Sequence, residues 1–262
     1  MVELVFILVS FCASVIGAIC GIGGGVIIKP VLDAFGLYSV STVSFMSGCI
    51  VLSMTAYSVV KANLAHESVI EKGVSTWLGI GAALGGLLGK QLFDSVKALF
   101  DNADTVGAVQ AAALFAITLG TAVYTIKRDK IKTHQLKNPV LCAAIGLALG
   151  VCSSFLGIGG GPMNLAVMHY CFSMGTKQAA ANSLLVILLS QTANLIFSLL
   201  RASIPAFSWL TLAVMVAAGV IGGFVSARLH KKLSAETTDR LFKVLLVVIF
   251  LICVSNAVRA LG

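Results

Sequence analysis

The residues Gly-Ile-Gly-Gly-Gly occur twice in the chain, at positions 21–25 and again at 157–161. Both copies lie inside long apolar runs, where each glycine weakens a helix by about 1 kcal/mol relative to alanine. Four glycines in five positions therefore predict a broken helix. The offset of 136 residues predicts that two helices break at equivalent positions of an internal repeat.

The composition is that of a membrane protein. Hydrophobic residues make up 58% of the 262 residues and charged residues 11%, whereas soluble domains carry about 25% charged residues. Because about 20 apolar residues cross a bilayer as one helix, the apolar runs predict an all-α polytopic membrane protein. The net charge of +8 arises in short gaps between these runs, where basic residues orient a membrane protein, and nucleic acid is not an expected partner.

The apolar runs form two matching series. A long broken run at about 4–35 precedes runs at about 40–60, 74–93 and 106–126, and a broken run at 139–172 precedes runs at about 179–200, 205–227 and 241–260. Duplication of this kind is typical of transporters. We predict an N-terminal membrane repeat over 1–126, a basic cytoplasmic connector over 127–137 and a C-terminal membrane repeat over 138–262.

The lysines and arginines distinguish two topologies. If every run crosses once, nine basic residues lie on one side and eight on the other. If each broken run leaves and returns on the same side as a helical hairpin, thirteen lie on one side and four on the other, with Lys29 in neither group. The second distribution obeys the positive-inside rule. We predict two inverted-topology repeats, each a glycine-broken hairpin plus three transmembrane helices, with both termini outside.

Backbone groups freed by a break inside a membrane are tolerated only beside a polar cavity. A helix that restarts after the glycines presents about four unpaired N–H groups and the positive end of its dipole, which together favour an anion. The alternative is that the glycines only permit close helix packing. The predicted anion site comprises Gly21, Gly23, Gly24, Gly25, Gly157, Gly159, Gly160 and Gly161.

Polar side chains near the breaks are further candidates. Lys29 either neutralises the anion or extends to the membrane interface. His169 either carries a coupling proton or packs with a hydrogen bond, and Arg201 is either an entry residue or an interfacial anchor. Asn164 follows the second glycine cluster. Hydrogen-bond donors for an oxyanion are available on the runs after the hairpins, at Ser44, Ser47, Asn182 and Ser183, while Gln191 and Asn194 lie deeper and suit contacts between helices.

The two glycine clusters, with four apolar runs per half, resemble the TauE/SafE family of sulfite and sulfonate exporters over essentially the whole chain. Pro30 matches the proline that often follows the first cluster. Position 166 is alanine, and Pro162 directly follows the second cluster, so the two hairpins are not expected to be strictly symmetric. The resemblance implies movement of sulfite, sulfoacetate or related organosulfonates across the bacterial inner membrane.

The sequence agrees less well with other functions. A divalent-metal permease requires clustered ligands, whereas His66, His134, His169 and His230 are scattered. A non-transporting membrane subunit would not need two matched glycine breaks. Neither a Walker A motif nor His-Glu-x-x-His nor Gly-x-Ser-x-Gly is present, so we expect neither an enzyme nor a cofactor. The expected partners are the small anion and the lipid bilayer, and the sequence leaves a homodimer open.

Overall fold

The computed structural model describes residues 2–64, 71–100, 103–200 and 205–261. In these residues the chain is all-helical, as predicted. The helices are α1 (Val2–Cys20), α2 (Gly25–Phe35), α3 (Val40–Leu64), α4 (Lys72–Leu99), α5 (Ala103–Lys127), α6 (Pro139–Leu156), α7 (Pro162–Phe172), α8 (Thr176–Leu200), α9 (Trp209–Lys232) and α10 (Ala235–Leu261), with one 3-10 turn at Arg128–Lys130.

Among the described residues, six helices are long and apolar enough to cross a membrane, namely α1, α3, α5, α6, α8 and α9. The chain is therefore a polytopic membrane protein. The set contains α1 and α6, which precede the two glycine clusters, and four of the six predicted crossings, namely α3, α5, α8 and α9. At 28 and 27 residues, α4 and α10 are the longest helices among the described residues. Six glycines dilute the apolar character of α4.

The first two helices form a hairpin. The chain turns at the first glycine cluster, and α2 returns along α1, with Gly24 against the backbone of Ala13. The return is complete, because the rings of Phe6 and Phe35 lie 5.3 Å apart near the ends of the two arms. α2 ends at Gly36 in the left-handed conformation, with φ of 64°.

A second hairpin is formed by α6 and α7. The backbone N–H of His134 donates to the carbonyl of Tyr170 at 2.8 Å, and that of Leu136 donates to Cys171 at 3.0 Å. The end of α7 is thereby tied to the segment that precedes α6. α7 ends at Ser173, whose φ of 53° is the only positive value for a non-glycine residue in the described part of the chain.

The closest packing joins helices from different halves of the chain. α4 packs along α6, and their counterparts α9 and α1 pack along each other; α3 likewise packs on α9, and α8 on α4. Small residues allow this approach, as they commonly do between membrane helices. A Cβ on Gly85 would overlap the carbonyl of Leu147, and one on Gly222 would lie 2.8 Å from the carbonyl of Phe11. Each half therefore completes the packing of the other.

Basic residues that follow different helices gather at one end of the bundle. Arg128 forms an ion pair with Asp239, and the Lys177 ammonium donates to the carbonyl of His230 at 3.4 Å. A topology in which every apolar run crosses once would put Arg128 and Asp239 on opposite sides of the membrane. The ion pair is incompatible with that arrangement.

Candidate functional site

The two glycine clusters are in direct contact. A Cβ on Gly25 would overlap the carbonyl of Ile158, and the Cβ position of Gly23 lies 3.4 Å from the carbonyl oxygen of Gly159. All eight predicted glycines are buried in this contact region. The tips of the two hairpins, 136 residues apart in the chain, therefore meet backbone against backbone.

Both return helices begin with backbone N–H groups that have no acceptor. Among the described residues, this holds for Gly24, Gly25 and Val26 at the first tip, and for Gly159, Gly160 and Gly161 at the second. The earlier N–H groups are occupied: that of Gly23 donates to the carbonyl of Gly17 at 3.3 Å. Buried N–H groups without an acceptor are costly, and the positive ends of two helix dipoles coincide with them. The arrangement favours a negatively charged ligand.

The two breaks differ in backbone conformation. Gly24 has helical angles, with φ of −55°, and α2 begins at Gly25. The equivalent Gly160 has φ of 138°, and α7 begins at Pro162, one residue later than the equivalent position. The ring of a proline disfavours the helical conformation in the preceding residue. Pro162 therefore delays the second helix start and makes the two tips unequal.

Lys29 extends from the first hairpin to the tip of the second. Its Cε atom lies 3.2 Å from the position of a Cβ on Gly157, and the Ser44 hydroxyl contacts the same position. Gly157 also has φ of 65°, so a side chain there would be strained as well as obstructed. Lys29 is buried, and its ammonium pairs with Asp33 at 2.7 Å. Its charge is therefore held inside the bundle.

The equivalent position around the first tip is apolar. A Cβ on Gly21 would overlap Ala180, which stands where Ser44 stands in the other half. Leu165 likewise replaces Lys29. The charged and hydroxyl groups are thus concentrated at one of the two tips.

The two matched serines are both buried at this level of the bundle. Ser47 and Ser183 are fully buried, and neither hydroxyl has a hydrogen-bond partner among the described residues. Ser47 Oγ lies 3.0 Å from the Cβ position of Gly25, at the start of α2. Asn164 is also buried, with neither amide atom partnered in the described part of the chain. It lines a pocket with Gly160 and Gly161.

Two predicted residues are engaged elsewhere. The Asn182 side chain accepts hydrogen bonds from the Glu71 N–H and the Ser75 hydroxyl, and it donates to the Gln178 carbonyl, so it ties α8 to α4. His169 lies two turns along α7 from the tip, with its Nδ1 2.9 Å from the Tyr124 hydroxyl. The structure brings neither side chain to the glycine contact. Arg201 lies outside the described residues.

Two apolar side chains that the sequence reasoning missed cover the tips. Val51 and Ile187 lie 3.2 and 3.3 Å from the Cβ position of Gly23. Val51 also lies 2.9 Å from that of Gly159, and Ile187 2.5 Å from that of Gly160. A signal was present, because Val51 and Ile187 are themselves 136 residues apart and each follows a matched serine by one helical turn.

An open cavity with both polar and apolar lining reaches the second tip. Gly157 forms part of its wall, and the hydroxyls of Ser44 and Ser154 and the carbonyl oxygen of the Asn194 side chain are buried without partners in the described residues. Gln191 also lines it, with Cδ 3.3 Å from the Cβ position of Gly159. The break is therefore bordered by polar side chains, as a break inside a membrane requires.

Comparisons with known proteins identify relatives of the chain. A family model described as "Sulfite exporter TauE/SafE" matches residues 6–253. The chain is 25% identical to the "Probable membrane transporter protein MamO" of Magnetospirillum gryphiswaldense, over 90% of this chain and 42% of MamO. It is 22% identical to the "Probable membrane transporter protein YunE" of Bacillus subtilis, over 94% of each chain. It is also 26% identical to a "Probable membrane transporter protein" of Xylella fastidiosa, over 87% of this chain and 84% of that protein.

The chain spans about two fifths of the length of the first curated relatives it matches. No solved structure matches the fold significantly. The family comprises membrane transporters rather than enzymes. Because the family model covers nearly the whole chain, including both glycine clusters, the protein belongs to the TauE/SafE family of sulfite exporters.

Proposed function

We propose that the protein is a secondary transporter of small sulfur-containing anions, such as sulfite, sulfoacetate or a related organosulfonate, across the bacterial inner membrane. The observation that carries this proposal is the contact of two glycine tips, each with unpartnered N–H groups at a helix start, beside the buried ammonium of Lys29. This geometry supports an anionic substrate. The preference for a sulfur oxyanion rests on the family.

The proposed binding groups are complementary to an oxyanion. The N–H groups of Gly24 and Gly25 and the hydroxyl of Ser47 donate from the first hairpin side, while the N–H groups of the second tip donate from across the contact. Glycine lets a ligand oxygen approach the backbone because it lacks a Cβ. Several weak donors and one ammonium hold an anion without the cost of burying an unpaired cation.

We propose that the two halves are inverted repeats that alternate access to this site. The contacts between α3 and α8 support this proposal. Gly48 lies near Gln191, and Val51 and Ile187 both contact the Cβ position of Gly23. The two helices therefore run antiparallel. Since each of these helices starts where its own hairpin ends, the hairpins then open toward opposite faces. The exchange of packing partners between the halves also supports an inverted duplication.

The cover formed by Val51 and Ile187 suits an occluded state. In this conformation, both side chains lie between the glycine tips and the rest of the bundle. Rocking of one half against the other would move one of these two side chains away from the tips and open the site to one side. The cavity at Gly157 extends toward Lys90, away from the end that carries Arg128 and Asp239, and provides the entry from that side.

The orientation follows from the basic end. Lys177, Arg228 and the connector lie with the group of thirteen lysines and arginines, and positive charge is retained on the cytoplasmic side. We therefore assign the end that carries Arg128 and Asp239 to the cytoplasm.

The test is thermal stabilisation of the purified protein by sulfite, sulfate, thiosulfate, sulfoacetate, chloride, phosphate and divalent cations. A ligand at one hundred times its Kd stabilises the folded form by about 2.7 kcal/mol. We expect selective stabilisation by a sulfur oxyanion, followed by flux of that anion in proteoliposomes. Stabilisation by divalent cations alone would replace this proposal with a metal permease, and equal stabilisation by every anion would remove the sulfur preference.

A further inference from the structure

We propose that Asp33 is the proton-binding site that couples anion transport to protons, with Lys29 passing between Asp33 and the anion as its counter-charge. This inference rests on the anion transport proposed above. It adds the coupling ion, and it assigns a role to a carboxylate that the sequence reasoning did not consider.

The Lys29–Asp33 ion pair is enclosed in the bundle. Lys29 Nζ lies 2.7 Å from Asp33 Oδ2, and the two side chains are 5% and 26% exposed. Lys29 and the Asp33 Oδ1 atom are buried, and ionisable side chains inside a membrane protein mark a functional site more often than a structural one. The pair uses only one carboxylate oxygen, because Asp33 Oδ1 is buried and has no partner among the described residues.

A second unpartnered acceptor lines a cavity beside the Lys29–Asp33 ion pair. This cavity, of about 320 Å³, is bordered by Lys29, Asp33 and Gln110. The Gln110 amide donates through Nε2 to the carbonyl of Phe155, while its Oε1 has no partner in the described part of the chain. Two buried acceptors without a donor therefore border one cavity. A proton on Asp33 Oδ1 supplies the donor that this cavity lacks.

Binding of an anion at the tips changes what Lys29 can pair with. The Lys29 stem lies against Gly157 and near Ser44, so its ammonium is within reach of both the carboxylate and the tip. A bound anion competes with Asp33 for this charge and adds a second negative charge nearby. Like charges favour the protonated form of a carboxyl group. The anion and the proton therefore bind to the same state and move in the same direction.

Among the described residues, no other charged group lines the cavity that holds the pair. The remaining polar and titratable groups, taken over the described residues of this cavity, of the adjoining apolar cluster and of the Gly157 contact, are Gln110 on α5, Cys253 on α10, Cys20 on α1 and Ser44 on α3. Thiols and hydroxyls are uncharged near neutral pH. Asp33 is thus the group whose protonation responds to an anion at the tip.

The second half does not duplicate this arrangement. Leu165 and His169 stand at the positions equivalent to Lys29 and Asp33. His169 lies beside Tyr124 in a separate pocket with Arg128 and Asp239. One coupling site per chain follows, and hence one proton per transport cycle.

The test uses the purified full-length chain in proteoliposomes with sulfoacetate, whose acid groups both stay ionised near neutral pH. Exchange is measured at equal pH on both sides, and accumulation is measured under a gradient of one pH unit with the membrane potential clamped at zero. We expect the wild-type protein to accumulate sulfoacetate about tenfold, because one pH unit corresponds to a tenfold ratio for one proton. Asp33→Asn should exchange sulfoacetate at a rate independent of pH and should not accumulate it.

Two variants keep the test specific. Asp33→Glu retains a carboxylate and should restore accumulation. Asp94→Asn is the matched control, because Lys90 and Asp94 form an ion pair with the same spacing at 3.3 Å, at 16% and 36% exposure. We expect this control to accumulate as the wild-type protein does.

An equilibrium measurement covers the case in which Asp33→Asn fails to transport. The sulfoacetate concentration that half-stabilises the wild-type protein should rise by up to about tenfold per unit increase in pH, since linkage is reciprocal, and it should be constant in Asp33→Asn. Wild-type exchange without accumulation, accumulation by Asp33→Asn, or accumulation driven by sodium alone would overturn the coupling proposal. Absence of sulfoacetate exchange in the wild-type protein would instead remove the transport proposal, and the coupling with it.

Discussion

Val51 and Ile187 pack against the same glycine, Gly23, although they lie on helices from different halves of the chain. Each also covers one glycine of the opposing tip, Val51 at Gly159 and Ile187 at Gly160. The two side chains therefore form a shared apolar cover over the region where the hairpins meet. Since both side chains contact the same backbone, the loss of stability caused by truncating one should depend on whether the other is present.

A double-mutant cycle tests this shared cover. Val51→Ala and Ile187→Ala should each lower the free energy of unfolding by about 1–4 kcal/mol. The double variant should depart from additivity by about 0.5–3 kcal/mol, because the residues share a contact. SDS titration in mixed micelles measures these values. Val43 and Val186, which belong to separate core clusters, are the control pair and should be additive to about 0.5 kcal/mol; additivity at Val51 and Ile187 would refute the cover.

The contact between the tips can be tested with a single methyl group. In Gly25→Ala, the new Cβ would overlap the Ile158 carbonyl, so the tips must separate. We expect anion exchange to fall at least tenfold while the protein still inserts into the membrane. Gly120→Ala is the control, because a Cβ on Gly120 meets nothing within 4 Å. Normal exchange in Gly25→Ala would mean that the tips need not touch during transport.

Lys29 is expected to contribute directly to anion affinity. In Lys29→Gln, the concentration of sulfur oxyanion that gives half-maximal thermal stabilisation should rise about tenfold or more, which is about 1.4 kcal/mol. Lys97→Gln, at an exposed position, should leave it unchanged.

The double variant Lys29→Gln with Asp33→Asn separates two causes of such a loss. If affinity falls only because Asp33 is left without its partner, removing both charges restores it. If the ammonium itself binds the anion, as proposed, the double variant stays weak.

Cysteine labelling tests the orientation of the bundle. In a variant without the seven native cysteines, Lys132→Cys and Ser234→Cys both lie at the end that carries Arg128 and Asp239, and Lys97→Cys lies at the other end. An impermeant maleimide applied to intact cells should label Lys97→Cys alone, with the other two reacting only after permeabilisation. Labelling of just one of the two would contradict the hairpin topology.

The sequence predicted the helical architecture and the position of the breaks well. Inside a membrane an unpaired backbone is so unfavourable that four clustered glycines in an apolar run leave few possible conformations. Because the cluster occurs twice, the sequence identified both tips. The delayed start of α7 could also be predicted from the sequence, because Pro162 disfavours the helical conformation in the residue before it.

The side chains of the site were harder to predict. Polar residues are few in α7 and are spread around α8, so the sequence does not reveal which way His169 or Asn182 points. Both side chains contact other helices. The contact of Ser44 with Gly157 joins segments 113 residues apart, and no local pattern encodes it. The Lys29–Asp33 pair was detectable, since residues four apart share a helix face.

The meeting of Gly25 with the Ile158 carbonyl also dictates where motion must originate. A contact made of backbone alone contains no rotatable side-chain bond, so it does not yield gradually; each hairpin has to shift as a rigid arm. The rotation must then take place where an arm joins the helix that follows it. Gly36 and Ser173, the left-handed residues that follow α2 and α7, occupy those two junctions.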